Sequence, residues 1–223
     1  MTKMLASVNS LAEAQLILNS TADIIDLKQP KQGALGALSI NDVRQIVSQV
    51  NNKKPVSATI GDLPMQADLV FNAVLAMSKT GVDFIKIGLF PGGDWQGTLS
   101  KLAALSQQGK QLIAVLFADQ APDFETIELL KKNGFSGVML DTMKKSSGSL
   151  PQLMPYNRLA EFVKKVKQAG MLSGLAGSLK AEDIPKLLQL NADYLGFRGA
   201  LCEEHNRTAA LNKESINKVL TYF

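Results

Sequence analysis

Asp26 and Lys28 stand two apart in the stretch Asp23-Ile24-Ile25-Asp26-Leu27-Lys28, directly ahead of Gln29-Pro30. Two β-branched residues between charged ones, stopped by a proline, read as a short buried strand. Side chains alternate along a strand, so Ile24, Asp26 and Lys28 share one face and Ile25 and Leu27 the other. Burying a carboxylate and an ammonium there is costly unless they are paired. Two readings fit: a structural ion pair at a strand end, or a reactive lysine held in an active site. Lys86 repeats the pattern inside Phe84-Ile85-Lys86-Ile87-Gly88, where it alternates with two isoleucines and is expected to point inward. Alone it too leaves both readings open, a structural ion-pair member or a functional lysine; together with Lys28 it favours chemistry.

That chemistry is specific. A lysine amine attacks a carbonyl only when uncharged, and its free pKa is about 10.4. Desolvation and a nearby second ammonium both lower the pKa, which makes the nucleophile available near neutral pH. The attack gives a Schiff base whose iminium drains electrons from the adjacent carbon. Asp26, Asp119 and Asp141 are the carboxylates available to move protons.

The elements that would position these residues alternate along the chain. Strands are expected at Met4–Val8, Asp23–Lys28, Pro55–Ile60, Asp83–Gly88, Gln111–Phe117, Gly137–Asp141, Met171–Ala176 and Asp193–Phe197. Helices are expected after each of them. Ser10-Leu-Ala-Glu13 has capping-box spacing, and Ser39-Ile-Asn-Asp42 marks another helix start. Further helices are expected over 67–78, 95–107, from Pro122 to Asn133, over 156–168, 181–190 and 214–222. Gly81, Gly109, Gly134 and Gly170 each follow a helix and precede a strand, where a left-handed backbone is commonly needed. Strict alternation argues for a parallel sheet. Eight units closing on themselves make a (β/α)8 TIM barrel of residues 1–223, compact against the usual length of about 250. A doubly wound open sheet is the alternative, but no Gly-x-Gly-x-x-Gly follows the first strand. No linker divides the chain.

In such a barrel the strand C-terminal ends form one ring. Here it holds Asp26, Lys28, Thr59, Asp62, Lys86, Asp119, Asp141, Lys145, Gly177-Ser178 and Arg198-Gly199. The glycine turns at Gly177, Ser178 and at Arg198, Gly199 follow the last two strands, the frequent place for a phosphate cradle of backbone N–H groups; plain turn chemistry is the other reading. Met143–Pro155 reads as a lid or a surface loop. Trp95 either lines the mouth or packs on a helix. His205, the sole histidine, is expected on the surface in a structural role.

With 46% hydrophobic and 20% charged residues the chain is not disordered, and the net charge of +4 suits an anionic small molecule. No basic tract or aromatic-interleaved basic surface points to nucleic acid. No apolar run approaches the roughly 20 residues of a membrane span, and no signal peptide is evident. Cys202, the only cysteine, reads as a core residue; no internal disulfide can form, so a cytoplasmic setting is expected. No His/Cys cluster suggests a metal, no cofactor motif is present, and a homo-oligomer is left open.

Asp23-Ile-Ile-Asp-Leu-Lys-Gln-Pro30 with Gly33-Ala-Leu-Gly36, Val56-Ser-Ala-Thr-Ile-Gly-Asp62, Phe84-Ile-Lys-Ile-Gly88, Leu175-Ala-Gly-Ser-Leu-Lys180 and Gly196-Phe-Arg-Gly-Ala200 together resemble the (5-formylfuran-3-yl)methyl phosphate synthase family, in order and over nearly the whole chain. The resemblance implies a TIM-barrel lyase of methanofuran biosynthesis. It would join two molecules of glyceraldehyde 3-phosphate into a phosphorylated furan aldehyde with loss of phosphate and water. It implies Lys28 as the Schiff-base lysine and Lys86 as proton acceptor, with Asp26, Asp141 and Lys145 as further active-site positions. The chain departs from the family pattern at Lys144–Ser149 and Pro91–Gly93. Lys145, Lys180 or Arg198 is expected to neutralise the substrate phosphates. The alternatives are another class I aldolase or isomerase of sugar phosphates, and a non-catalytic phosphometabolite-binding barrel.

Overall fold

The computed structural model describes residues 1–223. Eight parallel strands alternate with helices: β1 (Lys3–Val8), α1 (Leu11–Leu18), β2 (Ile24–Leu27), α2 (Ile40–Val50), β3 (Val56–Thr59), α3 (Ala67–Ser78), β4 (Phe84–Gly88), α4 (Trp95–Gln107), β5 (Gln111–Phe117), α5 (Thr126–Lys132), β6 (Gly137–Asp141), α6 (Leu150–Leu153), α7 (Tyr156–Gln168), β7 (Leu172–Leu175), α8 (Ile184–Leu188), β8 (Tyr194–Phe197) and α9 (Lys213–Leu220). The strands pair in sequence order, and β1 pairs with β8 to close the barrel.

Local chemistry accounts for the element ends. Ser39 Oγ accepts from the Asp42 N–H at 3.1 Å and starts α2. Ser10 Oγ likewise accepts from the Glu13 N–H at 3.2 Å, but the expected capping box forms by half only. The Glu13 carboxylate accepts from the Asn9 N–H and from Arg198. Helix α5 begins at Thr126 rather than Pro122, because Asp123 Oδ1 takes the Glu125 N–H at 3.0 Å and makes a turn first. The stretch 181–190 divides into a 3₁₀ turn, Ala181–Asp183, and α8, with Pro185 in its first turn where a missing N–H is harmless. Gly81, Gly109, Gly134 and Gly170 all take positive φ, between 69° and 90°.

Two apolar cores follow from the alternation. One lies between barrel and helices and includes Ile25 and Leu27 of β2; the other fills the barrel and includes Leu5, Ile24, Ile113, Val115 and Met139. Ile24, Asp26 and Lys28 thus face inward, as the period of two requires. The floor is nearly solid, with about 20 Å³ of empty space beneath Lys86. No helix is long and apolar enough to cross a membrane.

Candidate active site

Polar residues replace apolar ones in the upper half of the barrel interior. Strand register dictates the first cluster. Asp26 is level with Ser7 on one side and Ser57 on the other. Both hydroxyls donate to its carboxylate, at 2.7 and 2.6 Å, and Lys86 Nζ donates to Oδ1 at 2.9 Å. Asp26 is fully buried. Burial alone would raise its pKa, but Lys86, Lys28 and the two hydroxyls hold it below the ordinary carboxylate value.

A second cluster sits at the mouth. Asp141, the last residue of β6, accepts from Lys28 Nζ at 3.4 Å and from Lys145 Nζ through its other oxygen. The Thr142 N–H donates to it at 2.7 Å. Burial opposes its ionisation, yet Lys145 and Lys28 hold its pKa well below the usual range. Lys28 responds in the opposite direction. Its pKa is lowered to about 8: burial is the largest cause, Lys145 and Lys86 push the same way, and Asp141 and Asp26 oppose them. One carboxylate shared by two ammonium groups leaves Lys28 incompletely neutralised. It is Lys145 that turns inward; Lys144 is exposed.

These groups open into a cavity of about 530 Å³ that Lys28, Lys86, Asp141, Lys145, Gly177, Ser178 and Gly199 help to line. At the end of β7, Gly177 (φ 112°) and Ser178 (φ 48°) are both left-handed. A Cβ on Gly177 would come within 2.7 Å of Thr142, so the turn needs glycine for space as well as conformation. The Ser178 and Leu179 N–H groups donate to nothing within the chain. Such a turn can cradle a phosphate.

Arg198 requires a correction. Arg198 borders the cavity, but its guanidinium donates to Glu13 Oε2 (2.5 Å), Glu13 Oε1 (3.2 Å), Ser7 O (3.1 Å), Arg207 O (2.9 Å) and Ala209 O (2.8 Å). A guanidinium has five N–H donors, and all five are engaged, so none remains for a phosphate. Asp62 and Asp119 are also held elsewhere. Asp62 accepts from the Ala34 and Leu35 N–H groups, and Asp119 from those of Met143 and Lys144. Both carboxylates brace loops at the mouth. The 143–155 segment is correspondingly well anchored: Leu150 and Met154 are buried, and the Leu150 N–H donates to Gly177 O at 2.8 Å.

Trp95 is partly buried against the helical core, and its indole N–H donates to Phe90 O at 2.8 Å. His205 is exposed at the rim. Cys202 is buried, and burial pushes its thiol up to about 11. No group of three or more His, Cys, Asp or Glu residues is placed to hold a metal ion. Sequence reasoning missed Ser7, Ser57 and Arg207. The serines were legible only through register, and Arg207 lies in a segment without periodicity.

Residues 4–220 match the family model described as 4-HFC-P synthase. The chain belongs to this family. The (5-formylfuran-3-yl)methyl phosphate synthase of Methanococcus maripaludis strain S2 is 32% identical over 233 residues, with 97% of each chain covered. A Methylorubrum extorquens protein provisionally given the same name is 42% identical over 210 residues, covering 94% of this chain and 86% of that one. Among solved structures, a 3-hexulose-6-phosphate synthase superimposes with a TM-score of 0.72 at 18% identity over 99% of both chains, which speaks to the fold alone. Within the 4-HFC-P synthase family, then, this barrel carries Lys28, Lys86, Asp141 and Lys145 around one cavity, with Asp26 buried behind Lys86.

Proposed function

We propose that this enzyme makes (5-formylfuran-3-yl)methyl phosphate from two molecules of glyceraldehyde 3-phosphate by Schiff-base chemistry on Lys28, a step toward methanofuran. The observation that carries the reading is the Lys28–Asp141–Lys145 triad, in which burial and a competing ammonium bring a lysine amine near neutrality. The names of its relatives supply the product.

The uncharged Lys28 amine adds to the aldehyde of one triose phosphate, and loss of water gives an iminium. The iminium acidifies the neighbouring C–H bond, and its proton passes to the Lys86–Asp26 pair. The enamine so formed expels the phosphate from its own C3, and that carbon, kept nucleophilic by conjugation with the iminium, adds to C2 of the second triose in its ketose form and makes the new C–C bond. The second triose's C1 hydroxyl then closes the ring onto the first triose's C2 carbonyl, two waters are lost, and water releases the product from Lys28. The atom balance is two trioses in, one furan phosphate, one phosphate and two waters out. The Gly177-Ser178 turn, with Gly199 nearby, holds one substrate phosphate, and Lys145 offsets its charge.

Borohydride added during turnover with glyceraldehyde 3-phosphate is expected to fix a covalent adduct on Lys28, identified by peptide mass spectrometry, and Lys28→Ala is expected to abolish both adduct and furan formation. Absence of any adduct under turnover conditions defeats the reading. A product mass other than the furan phosphate assigns the enzyme to a different sugar-phosphate lyase.

A further inference from the structure

The cavity has more cations on its wall than carboxylates to match them. Lys86 is paired with Asp26, Lys180 with Glu182, and Arg198 with Glu13, while Lys28 and Lys145 divide Asp141. Lys218, exposed on α9, and Arg207 both line the same cavity and pair with no carboxylate, but only Arg207 is held in a fixed orientation. It is partly buried, and burial is the main influence pulling its pKa below the ordinary value. Its Nη1 and Nη2 donate to Pro30 O (2.8 Å) and Gly33 O (2.9 Å), in the loop that directly follows Lys28. Neutral carbonyls orient a guanidinium without cancelling its charge. Three of its five N–H donors stay available.

The fold goes to some length to put it there. Cys202 and Leu211 form an antiparallel bridge that closes the base of an excursion after β8. Arg198 holds the excursion by the carbonyls of Arg207 and Ala209, and Glu13 accepts the Leu211 N–H at 3.2 Å. At its tip Glu204 (φ 49°) and His205 (φ 56°) are consecutive left-handed residues, neither a glycine. Strain of this kind persists only where the surroundings enforce it, and it concentrates at functional sites. The buried Arg198–Glu13 pair is thus the mount, and Arg207 is the residue presented.

We propose that Arg207 forms a second anion subsite in the cavity, separate from the β7 turn, which binds the phosphate of one of the two trioses. The inference rests on the reading that two phosphorylated substrates occupy the mouth together. Two phosphates crowded at one cradle repel each other; a guanidinium held against the loop after β2 offers the second one its own place and matches phosphate geometry. Because Arg207 also grips the loop after Lys28, an anion held there fixes that loop while the amine reacts.

The test is calorimetric titration of the whole protein with glycerol 3-phosphate, which has the phosphate but no carbonyl and so cannot form an imine. The intact chain is expected to bind two equivalents. Arg207→Gln is expected to weaken one of them by about ten- to a hundredfold and leave the other unchanged. Arg207→Lys, which keeps the charge and loses the fork, is expected to fall between, and it serves as the decisive variant should Arg207→Gln not fold. One equivalent in the intact protein overturns the proposal. So do unchanged affinities in both variants with only a lowered melting temperature, the signature of a mere loop brace. Borohydride trapping is read separately: two equivalents without a Lys28 adduct would sink the lyase reading and leave this subsite standing.

Discussion

Asp26 and Asp141 are both buried aspartates on the barrel's inner face, and both touch lysine, yet they sit in opposite electrostatic situations. Asp26 lies in mid-barrel with one lysine and two serine hydroxyls. One negative charge meets one positive charge, and neutral donors fill the remaining lone pairs. Asp141 lies at the rim with two lysines and one backbone N–H. One negative charge meets two positive ones. Residue type is the same in both places; stoichiometry differs. The balanced pair is a fixed polar floor, whereas the unbalanced triad keeps an amine on the edge of losing its proton.

Breaking the floor should have the largest effect. Asp26→Ala leaves the Lys86 ammonium and two hydroxyls buried without an acceptor, and a loss of about 3–5 kcal/mol in unfolding free energy is expected from denaturant titration. Asp141→Ala should lose less, since Lys145 is only partly buried and Lys28, whose pKa is already about 8, can shed its proton once the carboxylate is gone. Equal losses would erase the distinction between floor and rim.

Lys28→Met tests the rim in the other direction. The folded pKa of Lys28, about 8, lies below its ordinary value of 10.5, so the fold disfavours the charged form. The unfolded chain binds the extra proton, and stability rises with pH between those values. The penalty is therefore complete below pH 8 and absent above pH 10.5. Lys28→Met, which leaves Asp141 paired with Lys145 alone, is expected to be more stable at pH 7 by on the order of 3 kcal/mol, with the gain gone near pH 10.5. A variant less stable than the parent at pH 7 would mean that Lys28 is neutralised as fully as Lys86.

The smallest effect sharpens the triad itself. If Lys28 must shed its proton to react, kcat/KM should climb with pH and level off above about 8. Lys145→Met removes the competing ammonium and gives Asp141 wholly to Lys28. The climb should then move upward by about one pH unit. An unmoved profile would assign the acidity of Lys28 to burial alone.

The period-two pattern around Asp26, Lys28 and Lys86 was enough to aim all three inward, and the alternation of elements was enough to close the barrel. What the sequence left dark is contact between distant segments. Lys28 and Asp141 are 113 positions apart and meet only because β2 and β6 face one another across a closed ring. Arg198 carried every outward sign of a phosphate ligand, a cation in a glycine turn after the last strand. Its capture by Glu13, 185 positions away, has no local signature, and the capping-box spacing of Glu13 pointed to a different partner. Asp62 and Asp119 show the same limit. An aspartate after a strand reads identically whether it meets substrate or takes two backbone N–H groups from a loop.

That use of Asp119 reaches beyond the loop it holds. With the Met143 and Lys144 N–H groups on its two oxygens, and Leu150 tied to the turn at Gly177, Lys145 is delivered to Asp141 by a frame stitched at both ends. Its orientation is settled once, when the chain folds, and need not be found again at each catalytic cycle. A substrate arriving at the rim meets a field already in place, and the entropy of assembling it weighs on the life of the protein as a whole, not on the turnover.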